Sequence, residues 1–455
     1  MITPPKKWIF LPVEVKSREF SARVLTAFFA VKKGFGVFIG RNGMNISRTK
    51  FPQGIYFDKC LSSHKTRFHH HQVHELGNHL VSLDEEGLLF ADEEAYLQNR
   101  ISQESIDLSS RIFCWGNAQA KIIRDRYSTD HKVSCTGAPR LDVWRPDFSF
   151  LHDKSSANIQ ETYGRFLLIV SNWGFHANEK RAGINPDAPR DRDLSRPFSI
   201  DFRPSIRVAF INLIKRLASE FPRETFIVRP HPVDLPDYWS RKESEFPANV
   251  KVVLKGSISP WIKAATAIVH NNCTTGVEAF VGGKPTIAFA PRFPGFEKDN
   301  LYTMPINELG RVCRTEEEVV HVLDSAEDGE IFNHQQNRSH VAEQYLELDE
   351  DQLASERILN ELQTLNISPQ RFKIPQYGIM KRSLECVADL RWKIRDKLNL
   401  SGMFTQAYTR HKNPGLVHEE IAALMAAFED RFEAASNLCQ IHNVERDTFC
   451  VFRDE

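Results

Sequence analysis

Short apolar runs separated by amphipathic stretches fill the first third of the chain. WIFLPV (8–13) predicts a buried strand. From Ser17 to Lys33 apolar residues recur at helical spacing (Phe20, Val24, Ala27, Phe28, Val31), and Gly34 marks the helix end. GVFIG (36–40), GIYFDKC (54–60), NHLVSLD (78–84), RIFCWG (111–116) and KVSCTG (132–137) continue the strand series, with helical patterns between some of them. Strand, helix and strand at this spacing predict a parallel sheet with helices on its faces.

From Arg145 to Gly164 the sequence turns polar, carries Pro146 and Asp147, and loses its periodicity. This predicts a first domain over 1–146 and a linker over 147–164. The pattern then restarts. RFLLIVSN (165–172), ETFIVRPHP (224–232), VKVVLKG (250–256), AIVHNN (267–272) and KPTIAFA (284–290) read as strands, and Ser205 to Phe221 as an amphipathic helix. A second doubly wound domain is expected over 165–345. The remainder, 346–455, reads as a helical tail packing back on the core. Arg382 to Lys397 and Val417 to Cys439 have helix periodicity there, with no convincing strands.

Composition narrows the function. The chain has 455 residues, 41% hydrophobic and 26% charged, which describes a globular rather than a disordered polypeptide. Lys plus Arg and Asp plus Glu are each 59. A zero balance argues against a protein that coats nucleic acid or a membrane through bulk charge, so no nucleic-acid partner is expected. Anion chemistry must come from a few placed residues. Eight cysteines without a CxxC pair are too sparse for a disulfide framework and suggest a cytoplasmic setting. The first apolar run is too short for a signal-peptide core, and no run of about 18 apolar residues exists to span a bilayer.

Three segments carry chemistry. Arg229-Pro230-His231-Pro232 follows a strand, and its prolines stiffen the exit. Arg229 would offer a bidentate fork and His231 a directed donor to a phosphate; otherwise the segment is a rigid loop. His270-Asn271-Asn272-Cys273-Thr274-Thr275-Gly276-Val277-Glu278 opens a helix directly behind a strand. Free N–H groups at the helix start and two Thr hydroxyls form an anion cradle, with N-capping by Thr274 or Thr275 as the plainer reading. Asn271 or Asn272 would shape the turn, and Glu278 would accept sugar hydroxyls. Finally, Asp84-Glu85-Glu86-Gly87 ends a strand with three acids, one of which would serve as a general base. The plainer reading is a solvated acidic loop.

Two nucleotide-fold halves, a short linker and C-terminal helices resemble the GT-B layout, two Rossmann-like domains facing a cleft. The acid-acid-Gly, HP and Thr-Thr segments resemble the pattern of bacterial sialyl- and polysialyltransferases. TGAPRLDVW (136–144), RPHP and HNNCTTGVEAFVGGKP resemble the bacterial surface carbohydrate biosynthesis group, akin to capsule Kdo transferases and more distantly to CDP-glycerol glycerophosphotransferases. The likeness covers roughly residues 5 to 300. It implies a metal-independent glycosyltransferase with a CMP-sugar donor of the ulosonic-acid type (Kdo-like or sialic-like), no cofactor and a glycan or lipid-linked acceptor. It implies Glu85 as base, His231 as the donor-phosphate contact, and Thr274 and Thr275 as the Ser/Thr pair. The related Kdo transferases retain configuration, in which case Glu85 binds acceptor or is structural. A CDP-polyol phosphotransferase and a non-catalytic carbohydrate- or nucleotide-binding assembly factor remain alternatives.

Other positions are weighed against this frame. Ser171 and Asn172 end a second-half strand, where Asn172 would meet the donor phosphate. Glu14, Lys16 and Arg18 follow the first strand as acceptor or donor contacts or as a surface charge cluster. His64, His69, His70, His71, His74 and His79 crowd a short stretch without matching a metal motif, so no metal is expected. With Lys65 and Arg67 they suggest a flexible acceptor- or phosphate-binding loop. Pro139-Arg140-Leu141-Asp142 reads as structural. Trp392, Lys393, Arg395, Lys397, Met403, Phe404 and Tyr408 leave three readings open: peripheral contact at the inner face of the membrane, a dimer surface, or packing on the core.

Overall fold

The structure, a computed structural model, describes residues 5–41, 51–88, 93–191, 193, 198–296, 305–325, 335–370, 372, 413–432 and 439–453. The residues proposed for membrane contact, Trp392 to Tyr408, lie outside them. The chain forms two compact units, one of residues 1–87, 97–143 and 347–455, the other of 88–96 and 144–346.

In the first unit six strands arise where the apolar runs predict them: β1 (Lys7–Val13), β2 (Phe35–Arg41), β3 (Ile55–Asp58), β4 (His79–Leu83), β5 (Ser109–Cys114) and β6 (Val133–Cys135). They pair in parallel in the order β2-β1-β3-β4-β5-β6. The reversal of order between β1 and β3 is the place where such sheets open a crevice at their carboxyl ends. Aromatic rings hold the centre. Phe10 lies opposite Phe38 in register and stacks on it at 5.1 Å, and Trp8 meets the same ring at 5.2 Å. Helix Lys16–Lys32 covers this sheet with a nearly continuous buried face.

The second unit contains β7 (Phe166–Val170), β8 (Thr225–Arg229), β9 (Val250–Val252), β10 (Ala267–His270), β11 (Thr286–Phe289) and β12 (Arg311–Cys313). All pair in parallel, in the order β12-β11-β10-β7-β8-β9. Counted from β7 this is the dinucleotide-fold order 3-2-1-4-5-6 read from its other edge, with its reversal between β7 and β10. Helix Phe198–Glu220 packs Phe210 against Trp173 with ring centroids 4.5 Å apart.

Two expectations differ from the structure. Residues 147–164 are not a bare linker: Pro146–Leu151 forms a 3-10 turn and Asp153–Tyr163 an α-helix. That helix packs on Ser259–Ala264 through Tyr163 and Trp261, 5.3 Å apart. Ser156 is its one buried residue, so it lacks the apolar stripe that would reveal it. The tail is not wholly helical either. Helices Ala354–Gln363 and His418–Phe432 are present, but β13 (Gln440–Glu445) and β14 (Thr448–Phe452) follow. β14 is buried throughout and pairs antiparallel with β2, so the tail completes the first sheet's edge.

Asp142 fixes the tail's first helix. Its carboxylate accepts from the N–H groups of Ala354 and Ser355, at 3.0 and 2.9 Å, and from the Ser355 hydroxyl at 3.0 Å. A buried acid borrowed from another segment thus faces the positive end of the helix. Asp142→Ala should lower unfolding free energy by about 2 kcal/mol in chemical denaturation. Loss below about 0.5 kcal/mol would show that the cap contributes little.

Candidate functional site

In the second unit three loops leave the carboxyl ends of adjacent strands β8, β7 and β10. Two side chains stitch them together. Asp234, buried in the loop after β8, accepts through Oδ2 from the Ser171 hydroxyl (3.2 Å), the His231 N–H (3.1 Å) and the Trp239 indole N–H (3.0 Å). His176 Nε2 lies 3.2 Å from its Oδ1. The β7 loop passes so close that a Cβ on Gly174 would stand 1.9 Å from Asp234 Oδ2, which only glycine permits. On the other side Asn172 donates through Nδ2 to the carbonyls of Asn271 (2.7 Å) and Asn272 (3.0 Å). The order reversal is therefore a tied crevice, the expected ligand position in such a sheet.

His231 is exposed at the rim. Its Nδ1 accepts the Val233 N–H at 3.3 Å, so the neutral ring carries its proton on Nε2. Helix Thr274–Val281 begins behind β10 with Cys273 as N-cap, and the Cys273 side chain makes no cap hydrogen bond. Thr274 and Thr275 are in its first turn, and the Cys273 thiol reaches the Thr275 hydroxyl at 3.3 Å. The plainer reading, N-capping by Thr274 or Thr275, gives way to Cys273 in the N-cap position with both threonines inside the first turn, where helix N–H groups suit an anion. Glu278 is buried in the same helix.

Other predicted contacts serve the framework. Arg229 turns its guanidinium to the carbonyls of Lys255 (2.5 Å) and Gly256 (2.6 Å) and lies over the Trp261 ring at 5.1 Å. Burial lowers its pKa to about 10. Both terminal nitrogens are engaged with backbone, so the expected phosphate fork is a loop clamp. Asn271 donates to Phe289 O at 2.9 Å. Asn272 takes a left-handed turn (φ 44°) and exchanges hydrogen bonds with Asn307.

His270, which the sequence signals only as part of its motif, is fully buried, and neither ring nitrogen has a hydrogen-bond partner. A Cβ on Gly276 would stand 2.5 Å from the ring, so Gly276 lets the helix start rest on the imidazole. Burial lowers the His270 pKa to about 4.

In the first unit the acids at the end of β4 have separate partners. Asp84 is clamped by Arg100, accepts the Glu86 N–H at 3.0 Å, and its carbonyl receives the Trp115 indole. Burial, the largest influence, pushes the Asp84 pKa up. Glu86 also faces Arg100, at 3.2 Å. Glu85 is buried and pairs with Arg23 at 3.1 Å, and Arg23 lies over the Phe57 ring. Only Glu85 looks toward the segment after β1, where Glu19 is also buried. Burial and then the Glu85 charge raise the Glu19 pKa. Glu19 accepts the Glu14 N–H at 2.7 Å, and Glu14 pairs with Lys59. Glu19 and Arg23 are invisible in the sequence because they occupy ordinary helix positions.

Lys16 donates to Gly415 O at 2.7 Å and pairs with Glu420, so it binds the tail. Arg18 is half-buried, 3.7 Å from Glu19. The histidine stretch is not a loop but a helix from Ser63 to Glu75 with a π turn over Thr66–His70. It is pinned by a buried chain in which His70 bridges Asp58 (2.9 Å) and Ser105 (2.8 Å). All three are sealed from solvent, so the resemblance to a hydrolytic triad is structural. His64 is exposed, and Lys65 lies 3.6 Å from Asp58. Among the described residues no group of three His, Cys, Asp or Glu is placed to hold a metal. None of their helices is long and apolar enough to cross a membrane.

No family model and no curated protein matches the sequence. Solved structures do. A protein assigned as a UDP-N-acetylglucosamine 2-epimerase from Listeria monocytogenes aligns over 81% of this chain and all of its own, with TM-score 0.50 and 10% identity. The wall teichoic acid polymerase TagF aligns over 79% of this chain and 90% of its own (TM-score 0.49, 10% identity). S. aureus MnaA with UDP aligns over 81% and 100% (TM-score 0.47, 13% identity). With its two doubly wound units, the chain has a GT-B-type fold.

Two measurements test this geometry. The unfolded His270 returns to about 6.5, so below that pH the unfolded chain binds a proton the folded one excludes, and stability falls as pH drops toward 4. His270→Leu should remove about 2 kcal/mol of the loss between pH 7 and pH 5, and an unchanged slope would refute the assignment. Arg23→Met leaves Glu85 and Glu19 buried without their guanidinium and should cost about 3 kcal/mol at pH 7. A change near zero would mean the pair is solvated.

Proposed function

We propose that the chain is a glycosyltransferase of surface polysaccharide synthesis that uses a CMP-activated ulosonic acid, Kdo-like or sialic-like. Its acceptor is a glycan or lipid-linked oligosaccharide. The observation that carries this reading is the tied crevice of the second unit, with His231 at its rim and the Thr274–Thr275 helix start beside it. Motif resemblance supplies the donor class.

In this reading the donor phosphate rests at the Thr274–Thr275 helix start, with both hydroxyls and the first-turn N–H groups as donors. His231 Nε2–H gives a further directed hydrogen bond. As the bond from the anomeric carbon to phosphate oxygen breaks, negative charge gathers on the departing CMP, and these donors meet it without reorganising. Ser171, Asn172 and Asp234 hold the loops in place. Asn271 and Asn272 shape the cradle, Gly276 permits its approach to His270, and Glu278 accepts sugar hydroxyls. Arg229 is assigned to loop support. Glu85, oriented by Arg23, takes the acceptor hydroxyl's proton if the reaction inverts configuration. Arg18, His64 and Lys65 are assigned to the acceptor, and no cofactor or metal is required.

CMP-, CDP- and UDP-linked donors should be compared by thermal shift and turnover. CMP and CMP-sugars are expected to stabilise the protein. Stabilisation by UDP-sugars alone would reject the donor class. Transfer of phosphorus into product would identify a polyol phosphotransferase, and CMP binding without turnover on any acceptor would identify an assembly factor. His231→Ala should lower kcat by about 10²–10³ while the protein stays folded. Undiminished turnover would remove His231 from the mechanism.

A further inference from the structure

At the opposite ends of the second unit's strands lies a cavity of about 380 Å³. Arg165 stands just before β7, Thr266 just before β10, and Lys284 two residues before β11. These three line it with Gln160 and small residues, and no Asp or Glu is among the lining side chains. In a chain whose charges cancel overall, a lining with two cations is locally basic.

Lys284 is the informative member. Its ammonium is half-buried and donates one hydrogen bond, to Ala265 O at 3.0 Å, at the end of helix Ser259–Ala264. An ammonium has three donors, so this contact leaves two. Neighbouring Lys263 turns the other way, onto Ser149 O and Asp153. Burial and then the Lys263 charge lower the Lys284 pKa. A cation under those two influences gains when an anion arrives. Gln160 spends its Nε2 on Ala264 O at 3.0 Å and keeps Oε1 as an acceptor, and Thr266 adds a hydroxyl. Both suit sugar hydroxyls.

We propose that this cavity is a second anion site, taking a small hydroxylated molecule with one phosphate or carboxylate held by Lys284 and Arg165. Being at the amino ends of the strands, it is separate from the crevice at their carboxyl ends and independent of the donor assignment. Its occupant would be a sugar phosphate or a sugar acid, as a regulator or as an acidic unit of a bound glycan.

Calorimetric titration of the full chain with glucose 1-phosphate, and separately with glucuronate, tests the proposal. At least one should bind with a Kd below about 10 mM. Lys284→Met should weaken that binding about tenfold or more. Arg165→Gln, at an exposed position, should weaken it as well and keeps the test readable if Lys284→Met lowers stability. Nucleotide binding, measured alongside on the same variants, should be unchanged. Phosphate-only, carboxylate-only or dual binding that depends on these cations supports the site and identifies its ligand class. Absence of binding by both probes, or binding indifferent to both substitutions, overturns it. Nucleotide binding reports on the crevice alone, so the two readings fail separately.

Discussion

The Asp234 carboxylate is the constraint on which the second unit's crevice rests. A buried carboxylate is tolerable only when donors surround it. Ser171, His231 and Trp239 converge on one of its oxygens, and they come from the β7 loop, the β8 loop and helix Pro236–Glu245. The cost of leaving that charge unsatisfied couples the three segments. Trp173, wedged against Phe210 and Trp239, anchors the same loop in the apolar core. Rigid loops over a parallel sheet are what a preorganised electrostatic site needs.

The first unit organises its charge differently. Its crevice end is crowded with paired acids: Asp84 and Glu86 on Arg100, Glu85 on Arg23, Glu14 on Lys59 and Asp58 on His70. Most of these ions brace loops. Glu19 stands out because it is wholly buried with one carboxylate oxygen lacking a hydrogen-bond partner.

The strands and the doubly wound class were legible because buried parallel strands write themselves as continuous apolar runs. Helix Asp153–Tyr163 was illegible because a mostly exposed helix has little apolar stripe. β13 and β14 were hidden because they follow a helical pattern, and it is the pairing of β14 with β2, and of β13 with β14, that makes them strands. At the crevice, the HP and Thr-Thr segments were visible as motifs. Asp234 and His176 were not, because their roles come from tertiary contact rather than spacing. Arg229 shows the converse: its residue type and strand-end position suit a phosphate, yet Trp261 and two carbonyls hold its side chain. Lys16 is similar, since its partners lie in the distant tail.

The tail strand has a consequence for how the molecule is born. β14 pairs Phe449 with Ile39, so β2 waits for a partner made about 400 residues later. At ribosomal speeds of roughly 5–20 residues per second, that wait is about 20–80 seconds. The second unit is drawn almost wholly from one continuous stretch and can close during it. The first unit's sheet is completed only once residues 440–452 have emerged, and until then an apolar strand edge is open to other chains. Chaperone dependence and solubility at synthesis should therefore follow residues 440–452 more closely than any residue of the crevice.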